Sequence, residues 1–356
     1  CIRDRCSMAQ QDPFEAGRSK SEKPGKGPLL ILSIDGGGTR GVIPATVLYH
    51  LEHDAGIQVR AEFDFFAGVS TGAMVAAYLA RDAGSLEVLS NQSYSADNLN
   101  RIFDKSVWDK LLGRVQNQPK YDGINKKAYV ESLAQGVRIN DVRDKHLLIL
   151  AYDFINRELV TFKNNRGHDA SYNPPLAEVC DAATAAPTLY PTVSSSAPKR
   201  RWLIDGALTT NDPSLCAITE ALAMGHKLEE IWMVSLGTGK PVHDLSQEDR
   251  DKIGEASRDW GIVGWLANGL LDHMLSASSC VSYHQCEQLL GDRYLRISGD
   301  LPRKLMQLDN TTDARIADLR SYAFLWYEQA IEPMEKLLRD VQAARHAHLE
   351  SEPEVL

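Results

Sequence analysis

The sequence predicts an α/β protein built on a largely parallel sheet. Three observations carry that expectation. Short apolar runs alternate with segments of helical period from residue 29 to about 237. Several runs, such as LLILSI (29–34), are apolar at nearly every position, as strands covered on both faces are. Hydrophobic residues make up 43% and charged residues 24% of a 356-residue chain, enough to bury one large core or two ordinary ones.

LLILSI (29–34) is the first expected strand. PATVLYHLEHDAG follows at helical spacing, with Pro44 in its first turn and Gly56 as its stop. FDFFAG (63–68) is the next strand and TGAMVAAYLARDAG the next helix. Further strands are expected at HLLILAYDF (146–154), RELVTFK (157–163), RWLIDG (201–206) and IWMVSLG (231–237), with SLCAITEALAMG (214–225) a helix between the last two. Residues 314–350 read as mostly helical, and NQPKYDG (117–123) and SSSAPKR (194–200) as loops. No internal repeat interrupts this order. The predicted organisation is a flexible polar tail over 1–28, one domain over 29–345 and a second tail over 346–356. From about 240 onward the domain is expected to be helical, lying on the sheet or forming a cap.

Formal charge is −9, from 39 basic and 48 acidic residues, which argues against a partner that is a nucleic-acid polymer. Six cysteines, none in a C-x-x-C pair, predict a reducing, cytoplasmic compartment. Cys280, His284 and Cys286 do not have the spacing of a zinc site and are expected as buried helix residues. The first 28 residues show no apolar secretory stretch. No run approaches the roughly 20 apolar residues of a membrane span, so contact with a membrane is expected to be peripheral.

Two stretches carry chemistry. In LLILSIDGGGTRG (29–41) a strand runs directly into an Asp, three glycines and an Arg. Such a turn brings bare backbone close to a phosphate, a nucleotide or an oxygen that becomes negative during a reaction. In FAGVSTGAM (66–74), Gly68-Val69-Ser70-Thr71-Gly72 places G-x-S-x-G between a strand and a helix. Small residues two before and two after relieve the crowding of a tight turn, and the Ser70 hydroxyl is exposed at a helix N-terminus. The ten histidines include none in a turn that follows a strand. Asp205 does end an apolar strand, followed by Gly206 and Ala207, and either faces a pocket as a base or caps a turn. If Ser70 attacks an ester, Gly36, Gly37 and Gly38 supply N–H donors for the oxyanion, and Arg40 orients that loop or meets a lipid phosphate. DGGGT also fits the phosphate turn of actin-like sugar kinases, a reading that leaves Ser70 unexplained. A non-catalytic lipid or partner binder on the same fold is a third possibility.

DGGGTRG (35–41), GVSTG (68–72) and DGA (205–207), in that order, resemble the patatin-like phospholipase family. PKYDGINKKAYVESLAQG (119–136) and ATAAPTLYPTV (183–193) resemble two lesser family segments, and the likeness covers roughly 29–240. It implies a three-layer α/β/α sandwich with a mostly parallel central sheet. It also implies a Ser70–Asp205 dyad without histidine, an oxyanion hole from Gly36, Gly37 and Gly38, and support from Arg40, Gly68, Gly72 and Gly206. The implied activity is hydrolysis of phospholipid acyl esters at a membrane surface, with no metal or organic cofactor. Some bacterial members are effectors switched on by cyclic nucleotide signals to degrade the cell's own membrane, which implies a cyclic dinucleotide as activator. WGIVGWLANGLLDHML (260–275) is expected as a core helix, with an interfacial helix or a lid as alternatives.

Overall fold

The computed structural model describes residues 26–104, 119–164, 172–195, 200–242 and 246–351. The tail expected over 1–28 lies outside the described residues as far as residue 25, as does most of the SSSAPKR loop. The main sheet contains β1 (Leu29–Ile34), β2 (Phe65–Val69), β3 (His146–Asp153), β4 (Glu158–Lys163), β5 (Val193–Ser195), β6 (Arg201–Asp205) and β7 (Ile231–Leu236). After a short β8 (Lys240–Pro241), β9 (Tyr294–Ile297) rejoins it, while β10 (Asp300–Leu301) pairs with β8 apart from it. The order is β5-β6-β3-β2-β1-β7-β9, with β4 on β3. The run from β3 to β9 is parallel, and β4, β5 and β6 are antiparallel, so the sheet is mostly parallel as expected.

Side chains alternate across this sheet with period two. Leu30, Leu32 and Ile34 of β1 enter one core, and Leu29 and Ile31 enter the other. Both faces are therefore apolar, which is why these strands read as continuous hydrophobic runs. One face is covered by α1 (Val42–His53), α2 (Thr71–Ala80), α3 (Ile124–Ala134), α4 (Leu176–Ala183) and α9 (Asp313–Ser351). The other is covered by α5 (Ser214–Ala223) and α8 (Leu270–Leu290). Between α5 and α8 lie α6 (Gln247–Ser257) and α7 (Ile262–Ala267). The result is the three-layer α/β/α arrangement.

The register around β3 positions the site. β4 pairs along Leu148–Asp153, and a strand has only two hydrogen-bonding edges. β2 and β6 must therefore share the other edge. β2 runs parallel to β3 and ends with Val69 opposite Leu150. β6 runs antiparallel and ends with Asp205 opposite Ala151, the next residue. The C-terminal ends of β2 and β6 thus meet head to head.

Four expectations need correction. The part after 240 is not only helical, because β9 lies in the main sheet beside β7; YLRI is short and interrupted by Arg296, which hid it. The helix α9 continues through 346 to Ser351, where a tail was expected. Segment 260–275 is not a core helix, because Ile262, Val263, Trp265 and Met274 are exposed. Of Cys280, His284 and Cys286 only Cys286 is buried, since α8 turns a single face to the sheet. Among the described residues no helix is long and apolar enough to cross a membrane.

Candidate active site

Ser70 sits alone in the corner between the last residue of β2 and the first of α2, with φ 53° and ψ −127°. A non-glycine residue held there stores about 1–3 kcal/mol of backbone strain, which the surrounding contacts must enforce. The flanking glycines explain how. A Cβ on Gly68 would lie 2.2 Å from the carbonyl oxygen of Gly72, and one on Gly72 would lie 2.2 Å from that of Ile34. The corner is thus pressed against β1, and no larger residue fits at either position.

Asp205 closes β6 from the opposite direction. Its N–H donates to the Ala185 carbonyl at 3.0 Å, and its Oδ1 accepts from the Ala207 N–H at 2.9 Å. A Cβ on Gly206 would lie 2.5 Å from the Leu150 carbonyl oxygen, so the chain can turn away from β3 only at a glycine. Burial pushes the Asp205 carboxyl up from 3.8 to about 6; the Ser70 hydroxyl, the Ala207 N–H and the Lys126 ammonium hold it from rising further. Lys126 is itself buried, bonded to the Asp181 carboxylate at 2.7 Å and the Thr184 hydroxyl at 3.2 Å. It was not singled out in the sequence, where KK in a helix reads as solvated.

The glycine turn divides the roles expected of it. Gly37 and Gly38 line the same cavity as Ser70 and Asp205. Gly36 does not: its N–H donates to the Asn211 carbonyl at 3.1 Å and its carbonyl accepts from the Thr238 hydroxyl at 2.6 Å. It is an anchor for the turn, which corrects the expectation that all three amides face an oxyanion. Arg40 is buried and donates to the carbonyls of Thr238 and Gly239 at 3.1 and 3.0 Å, so it holds the loop.

Sequence reasoning missed the groups behind this turn. Arg296 of β9 forks onto both carboxylate oxygens of Asp35, the first residue after β1, and reaches Asp212 at 3.4 Å and the Ser235 hydroxyl at 2.6 Å. Ser33, Ser235 and Arg296 lie in one register row across β1, β7 and β9, and the Ser214 hydroxyl bridges the two serines. Burial pushes the Asp35 carboxyl up to about 7 against the pull of the guanidinium, and the Asp212 charge adds to the rise. The one available signal was an Arg inside a strand-like run, since a buried charge demands a partner. Arg315 of α9 also supports the turn. It donates to the Thr39 hydroxyl at 2.8 Å and the Leu305 carbonyl at 2.7 Å, while the Thr39 N–H donates to Leu308.

The cavity has a volume of about 490 Å³. Met74, Leu99, Ile102, Phe103 and Tyr190 form an apolar wall beside Ser70, and no histidine is among the described residues that line it. Lys120 and Asp309, which also line it, pair with each other, with the Tyr121 hydroxyl on the same carboxylate at 2.9 Å. Among the described residues no group of three potential metal ligands comes together.

A family model described as patatin-like phospholipase matches residues 32–218. Patatin-like protein 2 of Oryza sativa subsp. indica is 29% identical over 350 residues, covering 82% of this chain and 82% of its own length. The cGAMP-activated phospholipase of Pseudomonas aeruginosa is 27% identical over 270 residues, covering 75% of this chain and 77% of its own. Human GIVD cytosolic phospholipase A2 in complex with methyl gamma-linolenyl fluorophosphonate aligns with a TM-score of 0.49 at 10% identity, over 90% of this chain and 60% of that one.

Two stability measurements check the electrostatics. Arg296→Gln leaves buried carboxylates without their cation and is expected to destabilise by about 3–5 kcal/mol in urea unfolding, whereas Arg296→Lys, which keeps the charge but not the fork, loses less. Asp205 behaves oppositely. Its folded value of about 6 lies above the 3.8 of the free group, so protonation favours the folded state below 3.8 and that help is lost as pH rises through 6. At pH 8 Asp205→Asn is therefore expected to stabilise the protein, by up to about 3 kcal/mol, and to lose that advantage toward pH 4.

Proposed function

The chain belongs to the patatin-like phospholipase family and is a lipid acyl hydrolase; from that premise we propose that it cleaves acyl esters of membrane phospholipids with Ser70 as nucleophile and Asp205 as general base. The observation that carries the dyad is the meeting of a strained serine and a buried carboxyl in one apolar-walled cavity with no histidine among its described lining residues. The Asp205 carboxylate takes the Ser70 proton as Oγ attacks the ester carbonyl. The amides of Gly37 and Gly38 receive the negative oxygen at the N-terminal end of the turn. Collapse expels the lysolipid alkoxide, which takes the proton from Asp205 and leaves an acyl-Ser70. Asp205 then deprotonates a water that releases the fatty acid and restores the hydroxyl. The wall of Met74, Leu99, Ile102 and Phe103 suits the acyl chain.

Family membership sets aside the sugar-kinase reading of DGGGT. The likeness to a relative named for activation by cGAMP supports a regulatory extension: low basal hydrolysis that rises with a cyclic dinucleotide.

A fluorophosphonate probe is expected to label the wild type at Ser70 and not Ser70→Ala, and unlabelled wild type would favour the non-catalytic binder. Ser70→Ala and Asp205→Asn are each expected to lose at least about 10³-fold in kcat/KM for fatty-acid release from phospholipid. Because the base acts as the carboxylate, kcat/KM should fall as pH drops through about 6, the value to which burial lifts Asp205. A limb near the ordinary carboxylate range would contradict that assignment. Release measured with and without cGAMP reads the activation.

A further inference from the structure

The arm formed by α6 and α7 is built unlike the rest of the molecule. No residue of α6 is buried. Beyond it Ile262 and Val263 are 81% and 80% exposed and Trp265 39%, and Met274 in the second turn of α8 is also exposed. The Trp260 and Trp265 rings meet edge to face, 5.3 Å between centroids and 88° between planes. The next residue after Met274, Leu275, lines the catalytic cavity. One helical turn further, Ser278 and Ser279 accept hydrogen bonds from the Asn211 backbone and side-chain amides at 3.1 Å. Asn211 is also the residue whose carbonyl anchors Gly36. Met274 thus stands on the same helix as the cavity-lining Leu275, and α7, with Ile262, Val263 and Trp265, joins the start of that helix through Asn268 and Gly269.

We infer that Ile262, Val263, Trp265 and Met274 form a wedge that inserts into the interfacial layer of a lipid bilayer and brings the mouth of the cavity to its substrate. The inference rests on the phospholipid-hydrolase reading. Continuity with the cavity selects the occupant, because Leu275, the chain neighbour of the exposed Met274, lines the space that would hold the ester. Four side chains are a small core for a second protein chain, whose standard interface buries about 1,600 Å² in total, but they suit shallow insertion of an amphipathic segment. Charge selects the lipid. The whole chain carries a formal −9, and α6 holds Glu248, Asp249, Asp251 and Glu255 against Arg250 and Lys252. Docking is therefore apolar, works on zwitterionic surfaces and changes little with salt.

Full-length Ser70→Ala protein separates docking from hydrolysis. On phosphatidylcholine vesicles it should co-sediment, and lipids brominated along the acyl chain should quench a tryptophan signal that Trp265→Phe removes. Adding Ile262→Asp and Val263→Asp should lower partitioning at least about tenfold, while 0.5 M salt should change it less than about twofold. In the active protein the same pair should reduce hydrolysis of vesicles and leave that of a dissolved short-chain ester within about twofold. Unchanged partitioning in the Asp pair overturns the wedge, as does binding that requires anionic lipid. A dimer dissolved by the Asp pair with vesicle binding intact also overturns it, in favour of a second copy. Wild type that docks through the wedge yet releases no fatty acid either with or without cGAMP upholds the wedge and overturns the hydrolase reading.

Discussion

The candidate site depends on two strands sharing one edge of β3. Because β4 occupies the opposite edge from Leu148 to Asp153, the hydrogen bonds that β2 leaves unused beyond Leu150 are taken by β6 coming the other way. The chain must leave the sheet at that junction from both sides at once. Ser70 and Asp205 are the two residues at the exits, and their separation is set by backbone pairing rather than by side-chain choice. The glycines follow from the same constraint. Gly72 lets the helix after Ser70 lie against Ile34, and Gly206 lets the chain after Asp205 pass over Leu150. A side chain on either would force apart the strand ends that the pairing brings together.

A second layer fixes the donors. Arg296 connects Asp35, where the glycine turn leaves β1, with Asp212, where the loop after Asp205 ends. Burying one guanidinium among two carboxylates is a poor source of net stability, since the desolvation of each ion offsets most of the attraction. What the triad does supply is a fixed relation between two loops that the hydrogen bond from Gly36 to Asn211 also joins. Arg315 repeats the device on the far side, gathering Thr39 and the Leu305 carbonyl. Both arginines lie beyond the segment 32–218 that matches the family model, so the C-terminal third completes the site even though it supplies neither the serine nor the carboxylate.

Much of this was legible in the sequence, for reasons that differ by residue. The strands LLILSI and IWMVSL declare themselves because both faces are buried, so no polar alternation weakens the signal. Ser70 is legible because a strained corner needs small neighbours at fixed offsets. β9 was not, because Arg296 breaks its apolar run and its partner Asp35 lies 261 positions earlier. The division of labour within the glycine turn was equally hidden. Gly36 and Gly37 are alike in composition, and only the approach of Asn211 from a distant loop decides which amide is engaged. The exposure of 260–275 was misjudged because hydrophobic period reports that a face is apolar, not what covers it.

The same features that make the site plausible also make it costly, and their coincidence supports its assignment. Ser70 holds a backbone conformation that side chains avoid, and Asp205 and Asp35 are carboxyls lifted by burial to about 6 and about 7. Each would relax if its surroundings loosened: Ser70 by a rotation of φ, the carboxyls by meeting water. None can move alone, because Gly72 is pinned on Ile34, Asp205 on Ala185 and Asp35 on Arg296. Strain and desolvation located at random would be expected to disappear under such options. Ser70 and Asp205 bring strain and desolvation into one cavity, with Asp35 at the root of the glycine turn beside it, and that coincidence is what the proposed nucleophile and carboxylate base would require.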